Sequence, residues 1–384
     1  MSKINVRSPY FVNATTALLF PTATIEIKIY EGLANTTWQG SPQYTLTSTA
    51  INQKVSFEIA ELIKDYITAA FNGGYTQGST GELERGTTIL VDYRVTTQTG
   101  IFPPTYDETD VLGLRAFYGY GFFEDGANPQ LLQGLLQSNT TILKSDDDAL
   151  RVPVDNENTS SVAFFNKGEQ IYTWTPIVGL KIHDQIQYVS TASEYVDNYR
   201  ERVIASGGTF EDNPCIQEFL RNDTIYPVDE VIVNAVEGVT VLRVENVEEC
   251  KYTPYKLTFI NKFGAYQDIW FFKNSKLAMN TNEESYKSNI VNNGTYNTYD
   301  PQIKLLTKNA KRRLTLNSGF YPESNNKVFE QLFLSEKVWI EYEQKTLGVT
   351  IESKSFNYKT SVSDGVINYT IDVSFAFDTI NNIR

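Results

Sequence analysis

Residues 367–377 read INYTIDVSFAF. Every odd position is apolar or aromatic: Ile367, Tyr369, Ile371, Val373, Phe375 and Phe377. The even positions are Asn368, Thr370, Asp372, Ser374 and Ala376. Successive side chains of an extended chain point to opposite faces, so a period of two predicts a long β-strand with one dry face and one wet face. At about 3.3 Å per residue such a strand spans roughly 35 Å.

The same alternation recurs upstream. Ile25, Ile27 and Ile29 alternate with Glu26 and Lys28, and Ile89, Val91, Tyr93 and Val95 with Asp92 and Arg94. QIQYVS at 185–190 reads as a short strand, and VIVN at 231–234 followed by VTVLRV at 239–244 as a hairpin. Further strands are expected at 255–260, 266–273, 313–317, 337–342 and 347–358. A period near 3.6 marks two helices. Ile59, Leu62, Ile63, Tyr66, Ile67 and Ala70 share one face of a helix over 57–71, with Ser56 as its cap and Asn72-Gly73-Gly74 as its end. Val328, Phe329, Leu332 and Phe333 share another after Pro322. Tyr195–Phe219 reads as a loop or short helix. Residues 280–300, rich in Asn, Thr, Ser and Tyr, read as a long surface loop or arm.

The fold expected is mostly β with minor α. Residues 1–175 form a β-sandwich-like N-terminal module with the inserted helix 57–71. Residues 176–250 form a short-strand connecting module. Residues 251–384 form an antiparallel sheet packed by one helix. Composition agrees: of 384 residues, 41% are hydrophobic and 13% aromatic, and Tyr and Phe dominate the aromatics. No apolar run reaches the roughly 20 residues that a spanning helix needs. The opening MSKINVRSPYF has no apolar core, so no secretory signal is expected.

The chemistry is sparse. His183 is the single histidine, which excludes paired-histidine metal sites and the HExxH zinc motif. Neither a phosphate-binding GxxxxGK[ST] loop nor a GxSxG nucleophile elbow occurs. Cys215 and Cys250 read as reduced thiols. Asp146-Asp147-Asp148, with Asp155 nearby, offers oxygens for Ca²⁺, but the DxDxDG spacing is missing and acidic runs are usually solvated. FYGYGFF at 117–123 reads either as a glycine-bent strand filling core or as a sugar- or partner-binding surface. No catalysis, cofactor or metal is therefore expected.

Charge is unevenly placed. The chain carries 33 Lys/Arg and 46 Asp/Glu, a net of −13. Residues 1–250 hold 16 and 33, a net of −17; residues 251–384 hold 17 and 13, a net of +4. The strongest basic cluster is Lys304, Lys308, Lys311, Arg312 and Arg313, the candidate subunit interface. Lys311 to Arg313 precede a strand, so their side chains alternate and not all reach one partner. Opposite-signed surfaces suit head-to-tail packing, and an acidic wall lets DNA pass without adhering.

KFGAYQDIWFFK at 262–273, RLTLNSGF at 313–320, VFEQLFLSEKVWIEY at 328–342 and SKSFNYKTSVSDGVINYTIDVSFAFDTINNIR at 353–384 occur here in one order. Together with VRSPYFV at 6–12 and FEIAELIKDYI at 57–67, they resemble tail structural proteins of crAss-like phages that infect Bacteroidetes. The resemblance is densest after residue 255 and is carried by structural residues, not by a catalytic signature. It implies a tail-tube-like fold and a virion component made in the host bacterial cytoplasm. The implied partners are further copies of itself in a closed six- or twelve-fold ring, and neighbouring tail or portal-side ring proteins. Double-stranded DNA is implied as non-specific cargo in the channel, and no membrane is involved. The rival reading is a tail-tip carbohydrate-binding adhesin or depolymerase, for which Trp38 and Trp174 are the candidate stacking platforms; Trp270 and Trp339 lie in apolar strands and read as core.

Overall fold

The computed structural model describes residues 3–16, 18, 22–49, 53–71, 73, 86–130, 134–155, 157–176, 186–209, 225, 227–236, 238–359 and 365–380. The chain is mostly β with few helices. Three sheets of five, five and seven strands carry three hydrophobic cores.

The N-terminal sheet runs in the order Lys3–Asn5, Pro104–Phe117, Thr88–Ile101, Thr22–Tyr30, Tyr44–Thr49. Its first pair is parallel and the others antiparallel. A separate ribbon, Phe11–Thr15 with Lys54–Glu58, shares its core: Val12, Ala14, Val55 and Phe57 pack with Ile25, Ile27 and Ile29. This is the sandwich-like arrangement expected. The helix is shorter than its periodicity predicts, covering only Ala60–Lys64. Ser56 lies in a strand, and the Glu58 carboxylate accepts from Ala60 N–H at 2.9 Å in its place. Tyr66 and Ile67 then close tight i to i−3 turns, and Ala69 takes a positive φ. Ile59, Ile63 and Ile67 are nonetheless buried as one apolar stripe. Burial thus follows the periodicity further than the helix does.

The middle sheet runs Glu169–Trp174, Thr159–Asn166, Glu230–Ala235, Gly238–Val247, Thr140–Ser145. The hairpin expected between 231 and 244 is present. This hydrogen-bonded unit crosses the boundary expected at 175, because strands before and after it pair directly. A ribbon of Arg151–Asp155 and Ile186–Ser190 and the helix Ser193–Ala205 complete the layer.

The C-terminal sheet is antiparallel throughout, in the order Tyr266–Phe271, Tyr255–Ile260, Val338–Tyr342, Lys345–Ile351, Thr370–Phe375, Ile303–Asn317, Lys273–Lys287. The helix Asn326–Phe333 packs on it through Phe329, whose ring meets Tyr369 at 4.5 Å and Tyr321 at 5.2 Å between centroids. Ile367, Tyr369, Ile371, Val373 and Phe375 are buried, as the alternation requires, whereas Phe377 is 45% exposed. The single eleven-residue strand is instead two. Val366–Ile367 pairs with Tyr321–Pro322, and Thr370–Phe375 lies inside the sheet. The break centres on Ser318: Tyr369 N–H donates to Ser318 Oγ at 2.8 Å, and its carbonyl accepts from Ser318 N–H at 2.8 Å. The strand expected at 347–358 ends at Ile351.

Buried polar contacts join the layers. Arg115 of the N-terminal sheet pairs with Asp155 of the middle layer, where Lys3 also reaches the carboxylate at 3.2 Å. Arg151 meets Asp268 at 2.6 Å across the junction with the C-terminal sheet.

Candidate assembly interface

The outer two strands of the C-terminal sheet extend far beyond their neighbours. Lys273–Lys287 pairs with Ile303–Asn317 over nearly its whole length, whereas Thr370–Phe375 covers only Arg313 to Asn317. Residues 280–300, expected as a loop or arm, are an arm whose stem is regular sheet. Its turn is built from the sequence: Asn293 and Gly294 both take positive φ, and Asn292 and Thr295 exchange backbone hydrogen bonds around them. Asn-Gly is the favoured pair for such a tight turn, because both residues must adopt left-handed backbone. Ten residues, Ile303 to Arg312, run beyond the paired segment, a reach of roughly 33 Å.

Thr281 to Lys287 and Ile303 to Lys308 are exposed on both faces of the ribbon. Neither edge of this stretch carries a further strand among the described residues. Lower down, the arm is braced by Thr379 N–H donating to the Ala310 carbonyl at 2.7 Å, and by Asn309 bonding to Ile380.

The register assigns each side chain to a face. Leu314 is buried in the sheet core, and its partner is Leu277. The pairs Met279 with Arg312, Thr281 with Ala310 and Glu283 with Lys308 continue that inner face. A bulge between Glu284 and Ser285, with Leu306 as the extra residue, brings Leu305 and Ile303 onto it as well. The inner face therefore carries Leu277, Met279, Ile303, Leu305 and Leu306, which are 50%, 59%, 68%, 53% and 66% exposed.

The five basic residues divide as their alternation requires. Lys308 and Arg312 lie on the inner face; Lys304, Lys311 and Arg313 lie on the outer one. Lys308 pairs with Glu283 at 3.2 Å, with both groups half exposed. Arg313 is held by Glu352 at 3.1 Å and Asp372 at 2.9 Å. Arg313 thus anchors the base of the arm. Lys304, Lys311 and Arg312 are exposed and make no ion pair among the described residues.

The arm also localises the positive charge. Residues 273–317 carry eight Lys/Arg and three Asp/Glu, a net of +5. The remainder carries 25 and 43, a net of −18. The split expected at residue 250 is therefore a split between the arm and the body.

Other candidates dissolve into the fold. Asp148 of the acidic run accepts from Trp270 Nε1 at 2.7 Å and pairs with Lys256 at 3.2 Å. Trp174 is buried against Tyr199, and the Arg94 guanidinium lies 4.9 Å from the Trp38 ring. In the aromatic run, Phe117, Tyr118 and Tyr120 are buried, and Gly119 passes so close to the Lys262 carbonyl that a Cβ would lie 2.6 Å from it. Phe117 ends its strand and the run from Tyr118 is irregular chain; it fills core as far as Tyr120, whereas Phe123 at its end is exposed. A cleft of about 450 Å³ opens beside Asp147, Tyr255, Lys256, Glu341 and Tyr342, with the two tyrosine rings stacked at 6.1 Å. His183 and Cys215 lie outside the described residues; Cys250 is exposed. No protein-family model matches the chain, and no curated protein matches it, so the functional reading rests on the residues themselves.

Proposed function

We propose that this chain is a non-enzymatic structural component of a phage virion tail that assembles with copies of itself into a closed ring, stacked with other tail rings around the DNA channel. One observation supports the reading: the arm 273–317 exposes apolar and basic residues on a two-stranded ribbon that no other strand covers among the described residues. Isolated two-stranded ribbons are marginal in water, and exposed edges invite pairing with another chain. Such an element is completed by assembly. The acidic remainder suits a wall past which DNA slides, because it offers few cations to neutralise phosphates. The resemblance of residues 255–384 to tail proteins supplies the setting.

Negative-stain imaging of the purified protein and cross-linking mass spectrometry of intact virions test this. Closed rings, with cross-links to tail proteins, are expected. Cross-links to the capsid shell, or absence of the chain from the particle, overturn it. The carbohydrate-binding reading retains the Tyr255–Tyr342 cleft, where stacked aromatic rings and carboxylates meet. Glycan binding that is lost in Tyr342→Ala favours that reading instead.

A further inference from the structure

We infer that the inner face of the arm is a docking surface for a second copy of this chain, and that it seats on the acidic body of that copy and not on its arm. The inference rests on the reading of the chain as self-assembling and assigns the contact within it.

Three observations lead there. First, Leu277, Met279, Ile303, Leu305 and Leu306 continue the buried face of the C-terminal sheet outward, each at least half exposed. They line one side of a narrow ribbon, and apolar patches of this kind mark contact surfaces. Second, the arm carries +5 and the remainder −18, so two arms repel while an arm and a body attract. Third, Arg312 lies on the apolar face itself with no ion pair among the described residues, and Lys308 lies there too, half exposed beside its partner Glu283, where both meet whatever covers the leucines. An apolar centre with a basic rim fits an acidic surface that presents its own apolar groups. Docking of an arm on a body is heterologous, because the two surfaces differ. Such contacts close into rings when the rotation between copies closes. Arm-to-arm contact would give an isologous dimer instead.

The test mixes copies of the full chain carrying ordinary and heavy nitrogen. Carbodiimide then joins lysines directly to carboxylates within contact distance. Links between the inner-face lysines of one copy, Lys308 and the Lys287 that pairs with Ile303, and carboxylates within residues 1–250 of the other are expected. The double variant Leu305→Ser/Leu306→Ser is expected to weaken association by roughly tenfold or more, since apolar residues central to an interface dominate its affinity. Its melting temperature should match wild type, because both side chains are exposed in the single chain.

Assembly of wild type with inter-copy links confined to the two arms overturns the docking while leaving self-assembly standing. So does a double variant that assembles as well as wild type. A wild-type chain that stays monomeric by sedimentation overturns both the docking and the ring reading. A monomer that instead shifts double-stranded DNA, through a surface lost in Lys304→Glu/Lys308→Glu, assigns the arm to nucleic acid and likewise overturns the inference.

Discussion

Asp155 shows how single side chains bind the layers together. Burial alone would raise its carboxyl, but Arg115 and Lys3 outweigh that and hold it below the ordinary carboxylate range. Its remaining acceptor capacity is met by Asn158 Nδ2 at 3.0 Å and Glu157 N–H at 3.2 Å. Removing one partner of such a buried pair costs about 3–5 kcal/mol, because the other charge is left uncompensated. Asp155→Asn is therefore expected to lower the melting temperature strongly at pH 7. The folded-state pKa is depressed, so the contribution is present above the unfolded value of about 3.9 and is lost as pH falls through the folded one. Asp155→Asn should accordingly lose less stability than wild type between neutral pH and acid below about pH 4; parallel acid-unfolding curves would contradict this. A second residue-scale outcome concerns Val373, fully buried, and Thr370, exposed on the other face of the same strand. Val373→Asp buries an unpaired charge and should cost several kcal/mol, whereas Thr370→Asp should move the melting temperature little. Equal losses at both sites would show that the alternation does not mark one dry face.

The arm shows what kinds of element a sequence discloses. Strands with a dry face were legible, because period-two alternation is how burial is written: Ile25 to Ile29 and Ile371 to Phe375 follow it closely. The stem of the arm has no dry face, so Thr281 to Lys287 shows no alternation and reads as loop. One local signal did point to a hairpin, the Asn293-Gly294 pair, which demands the positive φ of a tight turn. The break at Tyr369 was not legible, since its cause is Ser318, far away in sequence. The chain after the short helix is likewise held by distant partners: Ala69 N–H donates to the Gly86 carbonyl at 2.7 Å, and the Tyr266 hydroxyl to the Ala70 carbonyl at 2.9 Å. The basic cluster was legible as residues but not as geometry, because the bulge at Leu306 sets which lysines share a face. The arm's independence can be checked directly. Replacing residues 283–308 by Asn-Gly keeps Asn309 and Ala310, which hold the segment at 379–380. The shortened chain should melt within a few degrees of wild type, because none of the deleted residues is buried. A large fall would mean that the arm supports the body.

At the scale of the whole molecule, the basic residues separate into those that hold the fold and those available to a partner. Arg313 lies between Glu352 and Asp372, so Arg313→Glu places three carboxylates together and should lower the melting temperature of the single chain. Lys311 and Arg312 are exposed and hold no ion pair among the described residues, so reversing them should leave folding intact. Lys311→Glu/Arg312→Glu takes the arm from +5 to +1 against a body of −18. Charges at an interface rim act on encounter more than on the strength of the packed centre. They are screened once salt shortens the Debye length from about 8 Å at physiological ionic strength to about 3 Å at 1 M. The apolar face around Leu305 and Leu306 is not screened in this way. Two contributions with different salt responses can therefore be separated in one titration, read as assembled fraction by sedimentation velocity. Wild type should assemble less readily as salt rises and then level off where the apolar contact remains. The reversed variant should start near that level at low salt and change little. Wild-type assembly that is indifferent to salt would show that the arm's charge plays no part in holding copies together.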